Sequence, residues 1–528
     1  MIGPFRRACV AATGGLLVTL AVGPASATGF TDIGEDLHPR DKTEFDLHGY
    51  FRTRVEDLSN FDLDRGLTPS GAPLFPVPAG GGQNIFYGDM RFRTDFAAYG
   101  LGGNVAVKAR IDMLDDVPMG GNPDGVPSAA STQLAGGSGA FRIKRAWGEA
   151  KTPIGVIAAG RMGNAWGLGM LANGGDCADC DSGDAQDRLA FVTSLGGLIW
   201  AAAYDLSWIG PTDYRMDGIR QLGWAPSTDV HTVTFATMRW NDDLTQDRRR
   251  AAGMATVNYG AYLSHRWQVD DAPYAYLPIA ASALPGTQPI VARGFSATAI
   301  DGWFRLIAPG MRVEIEAAVM TTTVAQPSLL PGVQSNRDVQ GTQIGVALES
   351  DFGDVEDPFS AGLDMGYASG NDAPGFGVTT NPTAPVAQPG DLDGLQIDLP
   401  SQRRADAFKF HSDYRIDRIL FREIIGTVTG AAYLRPHARY DLMKIGTGLL
   451  QASIAGIGSF ADYAINAPGQ KRPLGIEIDP TLAYGSRDGF GVALEYGVLF
   501  PLAGLDNPAA GLVARPAQLF RVRLMYAY

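Results

Sequence analysis

The last nine residues, Phe520-Arg-Val-Arg-Leu-Met-Tyr-Ala-Tyr528, constrain the fold more than any other stretch. Phe520, Val522, Leu524, Tyr526 and Tyr528 are apolar or aromatic, and Arg521 and Arg523 lie between them. Period-two alternation of this kind gives a β-strand one greasy side and one polar side. The segment therefore needs an apolar environment along one face and water or polar groups along the other.

The pattern recurs along the chain. Phe45, Leu47, Phe51 and Val55 alternate with Asp46, His48, Arg52, Arg54 and Glu56. Phe86, Met90, Phe92 and Phe96 alternate with Asp89, Arg91, Arg93 and Asp95, and Val105, Val107, Ile111 and Met113 with Lys108, Arg110 and Asp112. Met311, Val313, Ile315 and Val319 alternate with Arg312, Glu314 and Glu316, and the segments around 344–349, 476–482 and 490–496 repeat the theme. Strands are predicted at 44–58, 84–99, 104–115, 140–152, 156–166, 188–195, 197–208, 229–240, 252–267, 296–307, 311–323, 341–351, 359–369, 430–443, 447–460, 473–486, 489–500 and 516–528. Long gaps (59–83, 116–139, 167–187, 209–228, 268–295, 370–429) alternate with tight turns such as Gly100–Gly103 and Ala308–Gly310; the charged stretch 241–251 is an exception of middling length. A soluble sandwich also alternates, but with shorter strands and no such alternation of loop lengths. The expectation is all-β: a transmembrane antiparallel barrel of about 18 strands, within a range of 16–20. Its alternating, aromatic-ended C-terminus resembles the insertion signal of Gram-negative outer-membrane barrels.

Bulk properties agree. The chain has 528 residues, 67 glycines and a net charge of −13, and no segment offers the ~18 uncharged apolar residues of a spanning helix. Arg6 and Arg7, the apolar stretch Val10–Val22 and Ala25-Ser26-Ala27 read as a signal peptide over 1–27. The division expected is 1–27 signal, 28–43 periplasmic N-terminal segment and 44–528 outer-membrane barrel with a long loop at 370–429. The competing reading is a soluble periplasmic or secreted protein. Tyr367, Tyr440, Tyr484, Tyr526, Tyr528 and Trp240 near strand ends suit a membrane-interface girdle, although any one of them could be an ordinary strand aromatic. The alternation slips around Lys144–Trp147, which predicts a bulge.

Charges on the expected inward faces are unevenly spread. Arg52, Arg54, Arg91, Arg93, Lys108, Arg110, Arg521 and Arg523 would make a pore-lining basic wall; Glu314, Glu316, Glu349, Asp364, Glu477, Asp479 and Glu495 would make an acidic one. Opposed walls would set a transverse field across a water-filled lumen. The alternative is a plugged lumen filled with buried ion pairs. In Asp176–Asp187, the carboxylates Asp179, Asp181, Asp184 and Asp187 suggest a calcium site lacking the distal bidentate glutamate, or else a solvated acidic loop, and Cys177 and Cys180 could close a disulfide. Ile416, Ile419, Leu420 and Ile424 have helical spacing, which predicts a short amphipathic helix in or over the lumen, with an extra strand pair as the alternative. No phosphate loop, HExxH or nucleophile elbow is present, so no enzyme is expected. The net charge disfavours nucleic acid.

The stretches Trp166–Asp184 and Phe410–Ile424 resemble a family of uncharacterised outer-membrane barrels of myxobacteria and relatives. The hairpin ending Ala159-Gly160-Arg161 is similar, over a short match, to strands of porins and alginate-export barrels. The first resemblance implies location and fold without a substrate; the second implies passage of sugars or anionic polymers. The function expected is a porin-like channel for small polar or charged solutes, with a plugged surface scaffold or adhesion protein as the alternative. Expected partners are outer-membrane lipid and lipopolysaccharide, the barrel-assembly machinery and the solutes. The residues leave monomer and homo-oligomer equally open.

Overall fold

The computed structural model describes residues 29–76, 83–120, 141–207, 226–271, 292–327, 337–354, 357–378, 386–397 and 402–528. The predicted signal at 1–27 lies outside the described residues, as do parts of the long loops. Eighteen strands are present among the described residues: Glu44–Ser59 (β1), Asn84–Tyr99 (β2), Val105–Pro118 (β3), Arg142–Thr152 (β4), Gly155–Gly163 (β5), Ala185–Leu195 (β6), Leu198–Ser207 (β7), Val230–Arg239 (β8), Thr256–Gln268 (β9), Phe295–Ala308 (β10), Met311–Val324 (β11), Val339–Phe352 (β12), Phe359–Ala368 (β13), Ala431–Ile445 (β14), Gly448–Ala461 (β15), Pro473–Ser486 (β16), Phe490–Pro501 (β17) and Ala517–Ala527 (β18). Each strand pairs antiparallel with its sequence neighbours, and β1 also pairs with β18, so the sheet closes on itself. Closure removes every sheet edge, the condition for a β-structure to span hydrocarbon.

The alternation decides which side is which. Arg52, Arg54 and Glu56 point inward and are buried, while Phe45 and Leu47 are 70% and 59% exposed on the outside. On β11, Glu314 and Glu316 are wholly buried inside, and Val319 is exposed outside. Ile300, Phe235, Leu189, Ile454 and Phe520 extend the exposed apolar surface around the cylinder. Soluble monomers rarely expose apolar patches beyond a few hundred Å², so this exterior belongs in lipid. The predicted bulge is present: the register slips between Arg110 and Ile111 against Arg145 and Ile143, leaving Lys144 without an opposite residue on β3. Tyr367, Tyr440, Tyr484, Tyr526 and Tyr528 lie on the outer surface. Trp240 does not belong with them, since it faces the interior and packs on Trp303.

The charged connection 241–251 holds the one α-helix among the described residues, Asp243–Ala251 (α1). Asp242 caps it by accepting from Thr245 N–H at 2.7 Å, and Arg248, Arg249 and Arg250 sit at its negative end. It lies on the short-turn side of the barrel.

Among the described residues, at least three segments enter the cylinder. Residues 29–43, expected as a periplasmic segment, dock inside the short-turn end. There Phe30, Ile33 and Leu37 are buried, Gly34 N–H donates to Glu149 at 2.9 Å, and the Arg188 guanidinium stacks over Phe30. The second is the β5–β6 loop, with Trp166 and Met170 fully buried. The third is the β13–β14 loop, whose Phe408, Phe410, Ile419, Leu420 and Phe421 form the centre of the largest apolar cluster. The helix predicted there is a single wide turn, Leu420–Ile424, with Ile424 N–H bonded to Ile419 C=O and Ile425 N–H to Leu420 C=O. An extra strand pair is absent among the described residues; Lys409 and Thr429 make only an isolated bridge. The turn stays short because side-chain carboxylates take backbone donors that a longer helix would have used.

Candidate functional site

The inward arginines of β1, β2 and β18 converge on the β5–β6 loop. Cys177 and Cys180 are joined by a disulfide, making a four-residue ring that carries Ala178 and Asp179. The ring turns its acceptors toward the wall. Arg52 donates to Ala178 C=O at 3.0 Å, Arg91 to Cys180 C=O, and Arg415 of the β13–β14 loop to Asp179 C=O.

The Asp179 carboxylate lies within 4 Å of five guanidinium groups: Arg422 at 2.6 Å, Arg54 and Arg523 at 3.3 Å, Arg415 at 3.5 Å and Arg521 at 3.8 Å. Asp181 meets Arg415 at 2.7 Å, Arg52 at 2.9 Å and Arg54 at 3.1 Å. Burial alone would raise both carboxyls, but the surrounding guanidinia hold them well below the usual carboxylate range.

The rest of the predicted basic wall is likewise paired. Arg93 is bidentate on Asp112 (2.8 and 2.9 Å), Arg110 on Asp95 (2.6 and 3.1 Å), and Lys108 lies 3.2 Å from Glu149. Arg521 bonds Glu56 at 2.5 Å.

The predicted acidic residues also face inward, and most of them hold inserted segments. Glu316 accepts the backbone N–H groups of Leu168, Met170 and Leu171 at 2.5–3.3 Å. Glu477 does the same for Arg418, Ile419 and Leu420 at 2.8–3.1 Å. Glu349 accepts the Tyr414 hydroxyl and Arg312, Glu314 accepts Trp303 Nε1–H, and Asp364 pairs with Arg435. Glu495 lies beside Arg523 at 3.1 Å, because β17 and β18 are neighbours. Asp479 is buried, with one oxygen unbonded. The expected pair of charged faces across open water is thus corrected at this level. Protein stands between the walls, and the charges meet in ion pairs.

The calcium reading is also corrected. Asp179 and Asp181 are occupied by arginines, Asp184 lies 3.6 Å from His411, and Asp187 is on the lipid-facing side of β6, bidentate with Arg161. Among the described residues no group of three or more His, Cys, Asp or Glu side chains could hold a metal ion. Carboxylates spaced along an extended ring diverge, and guanidinia have already neutralised the two that point together.

Reading the sequence missed the polar residues of the third segment. Asp413 accepts Asp181 and Ser182 N–H at 3.0 Å each, tying the two loops together, and Asp417 accepts Phe421 and Arg422 N–H. The signal was available: charges at 413, 415, 417, 418 and 422 are too many for a stretch whose apolar residues are all buried, unless each has a partner inside.

No family model matches this chain, and no curated protein does. Solved structures are similar at the level of architecture. OccK8 (OprE) of Pseudomonas aeruginosa has a TM-score of 0.44 at 9% identity, over 92% of this chain and 98% of that one. OpdK of the same organism, solved with vanillate, has a TM-score of 0.43 at 9% identity with the same coverage. The outer-membrane channel DcaP of Acinetobacter baumannii has a TM-score of 0.35 at 13% identity, again over 92% and 98%. Likeness this distant says nothing about solute. The chain's own closed sheet and apolar exterior make it an outer-membrane β-barrel.

Proposed function

We propose that the protein is an outer-membrane channel for small polar or charged solutes, with a lumen narrowed by the two inserted loops. The observation that carries this reading is the gathering of ionisable side chains inside an apolar cylinder of eighteen strands, a width that leaves room for more than packed side chains. The inserted loops are held to the wall by buried ion pairs and N–H bonds to carboxylates as well as by apolar packing, so charged groups remain along the passage between them. Solutes would diffuse past charged groups without chemical change. Purified protein in planar bilayers tests this: stepwise conductance that depends on the charge of the permeating ion is expected, and no current in any salt would sink the reading.

A second reading is a plugged scaffold with its external loops as the working part. The buried apolar cluster around Phe408, Phe410 and Leu420 favours it. It predicts no current, together with loss of a surface partner when loop 370–429 is trimmed.

A further inference from the structure

Two inward arginines of the barrel wall, Arg266 on β9 and Arg305 on β10, make neither a hydrogen bond nor an ion pair among the described residues. The other inward strand arginines all have carboxylate or carbonyl partners. Arg305 is only 5% exposed, and its Nε and Nη2 are buried with no acceptor. Its guanidinium lies 4.9 Å from the Trp240 ring centre and 5.2 Å from that of Trp303, and the two rings are 6.0 Å apart and inclined by 34°. Aromatic faces attract the positive charge, but they do not accept its in-plane N–H groups as an oxygen would.

The obvious partners are occupied elsewhere. Glu314, directly opposite on β11, accepts Trp303 Nε1–H at 2.7 Å and Arg312 at 2.6 Å. Asn258, opposite on β9, is bonded to Asn241. A guanidinium out of water with unfilled donors is costly, and arginine's planar fork matches a two-oxygen anion. Arg305 lies three residues from the end of β10, at the short-turn mouth beside α1. Arg266 stands farther toward the long-loop end of the adjoining strand.

We propose that Arg305, set against the packed pair of Trp240 and Trp303, is an oxyanion-binding site at the short-turn mouth, taking the carboxylate or phosphate group of a small solute. The proposal rests on the channel reading above and gives that channel an anionic solute class. The site is distinct from the Asp179 cluster, where the anion is part of the chain itself.

The test uses the full barrel in detergent, titrated at constant ionic strength with sodium phosphate or sodium acetate against sodium chloride while tryptophan fluorescence is read. A saturable change with phosphate or acetate is expected, lost in Arg305→Gln and kept in Arg266→Gln. Which anion saturates tells a phosphate group from a carboxylate. Trp240→Phe, at a half-buried ring, should fold even if Arg305→Gln does not, with a smaller signal and severalfold weaker binding. No saturation with either anion, or saturation unchanged in Arg305→Gln and in Trp240→Phe, overturns the site. Bilayer current separates the two claims: saturable binding without current sinks the channel and keeps the site, and current without saturable binding does the reverse.

Discussion

Replacing Asp179 by asparagine should release the β5–β6 loop from the wall while leaving the barrel intact. The carboxylate is only 17% exposed and lies within 4 Å of Arg54, Arg415, Arg422, Arg521 and Arg523. Asparagine keeps the volume and one acceptor but removes the charge those guanidinia share. Taking one partner from a buried ion pair costs about 3–5 kcal/mol, and the partial hydration here argues for the lower end. About 3 kcal/mol against the inserted state changes the ratio of inserted to withdrawn loop by roughly two orders of magnitude. No strand pairing passes through Asp179, so the barrel ladders should hold. Hydrogen exchange in detergent gives the direct readout, because the Asp181 and Ser182 amides are bonded to Asp413 only while the two loops are joined. Exchange at those amides should rise by roughly that factor, with larger or more frequent current steps in bilayers. Asp187→Asn is the control: it belongs to the same acidic run but pairs with Arg161 on the outer surface, and should leave both readouts unchanged. Asp181 and Ser182 exchange within twofold of wild type in Asp179→Asn would refute the idea that this carboxylate clamps the loop.

Three further outcomes follow from the same contacts. In Cys177→Ser/Cys180→Ser, opening a four-residue ring should cost about 2 kcal/mol in the chain-entropy picture; exchange should rise at 177–182 and stay slow in the strands, and unchanged loop exchange would show that the arginines alone fix the ring. Glu477→Gln replaces one of the two acceptor oxygens that three backbone N–H groups share with an NH2 donor, about 2 kcal/mol; amides 418–420 should exchange roughly thirtyfold faster, and slower or equal exchange would count against the anchor. Acid should act late. Asp179 and Asp181 have depressed pKa values, so their stabilisation is complete above the free-loop value of 3.8 and is lost as pH falls through the lower values of the docked loop. The Asp179 and Asp181 clamp should therefore add nothing to the pH dependence of the current between pH 8 and about pH 4 and weaken only below that; a current rise above pH 4 that Asp179→Asn abolishes would contradict it.

The shell was legible because its determinant is local. Which way Arg54 or Val313 points follows from parity along one strand, and strand ends such as Asn84 and Tyr99 fall where the turn residues begin. The filling was not legible, because its contacts join remote segments: Arg52 meets Asp181 across 129 residues and Arg422 meets Asp179 across 243. Periodicity carries no term for such pairs. The sequence marked Asp179, Asp181 and the arginines as notable, yet in separate roles, as metal ligands on one side and pore wall on the other. Trp240 was misplaced for a related reason. It ends a strand, and an aromatic at a strand end looks the same whether the ring turns to lipid or stacks on an interior guanidinium.

What matters electrically inside such a barrel is the charge left after pairing, and counting residues by strand does not supply it. The first three strands and the last carry the eight inward cations of the predicted basic wall, so they look like the attractive side; Asp179, Asp181, Asp112 and Glu56 leave that wall nearly neutral. Arg266 and Arg305 stand on strands with few cations and draw no notice in a tally, yet neither makes a hydrogen bond or an ion pair among the described residues, and each has a buried guanidinium nitrogen without an acceptor. An anion entering from the short-turn side would therefore meet an unshared positive charge first at Arg305, beside the packed Trp240 and Trp303 rings. It would find the larger cluster closed unless the Cys177–Cys180 ring withdrew. Affinity and gating then sit at different places in one lumen, and Arg305→Gln should change the first while Asp179→Asn changes the second.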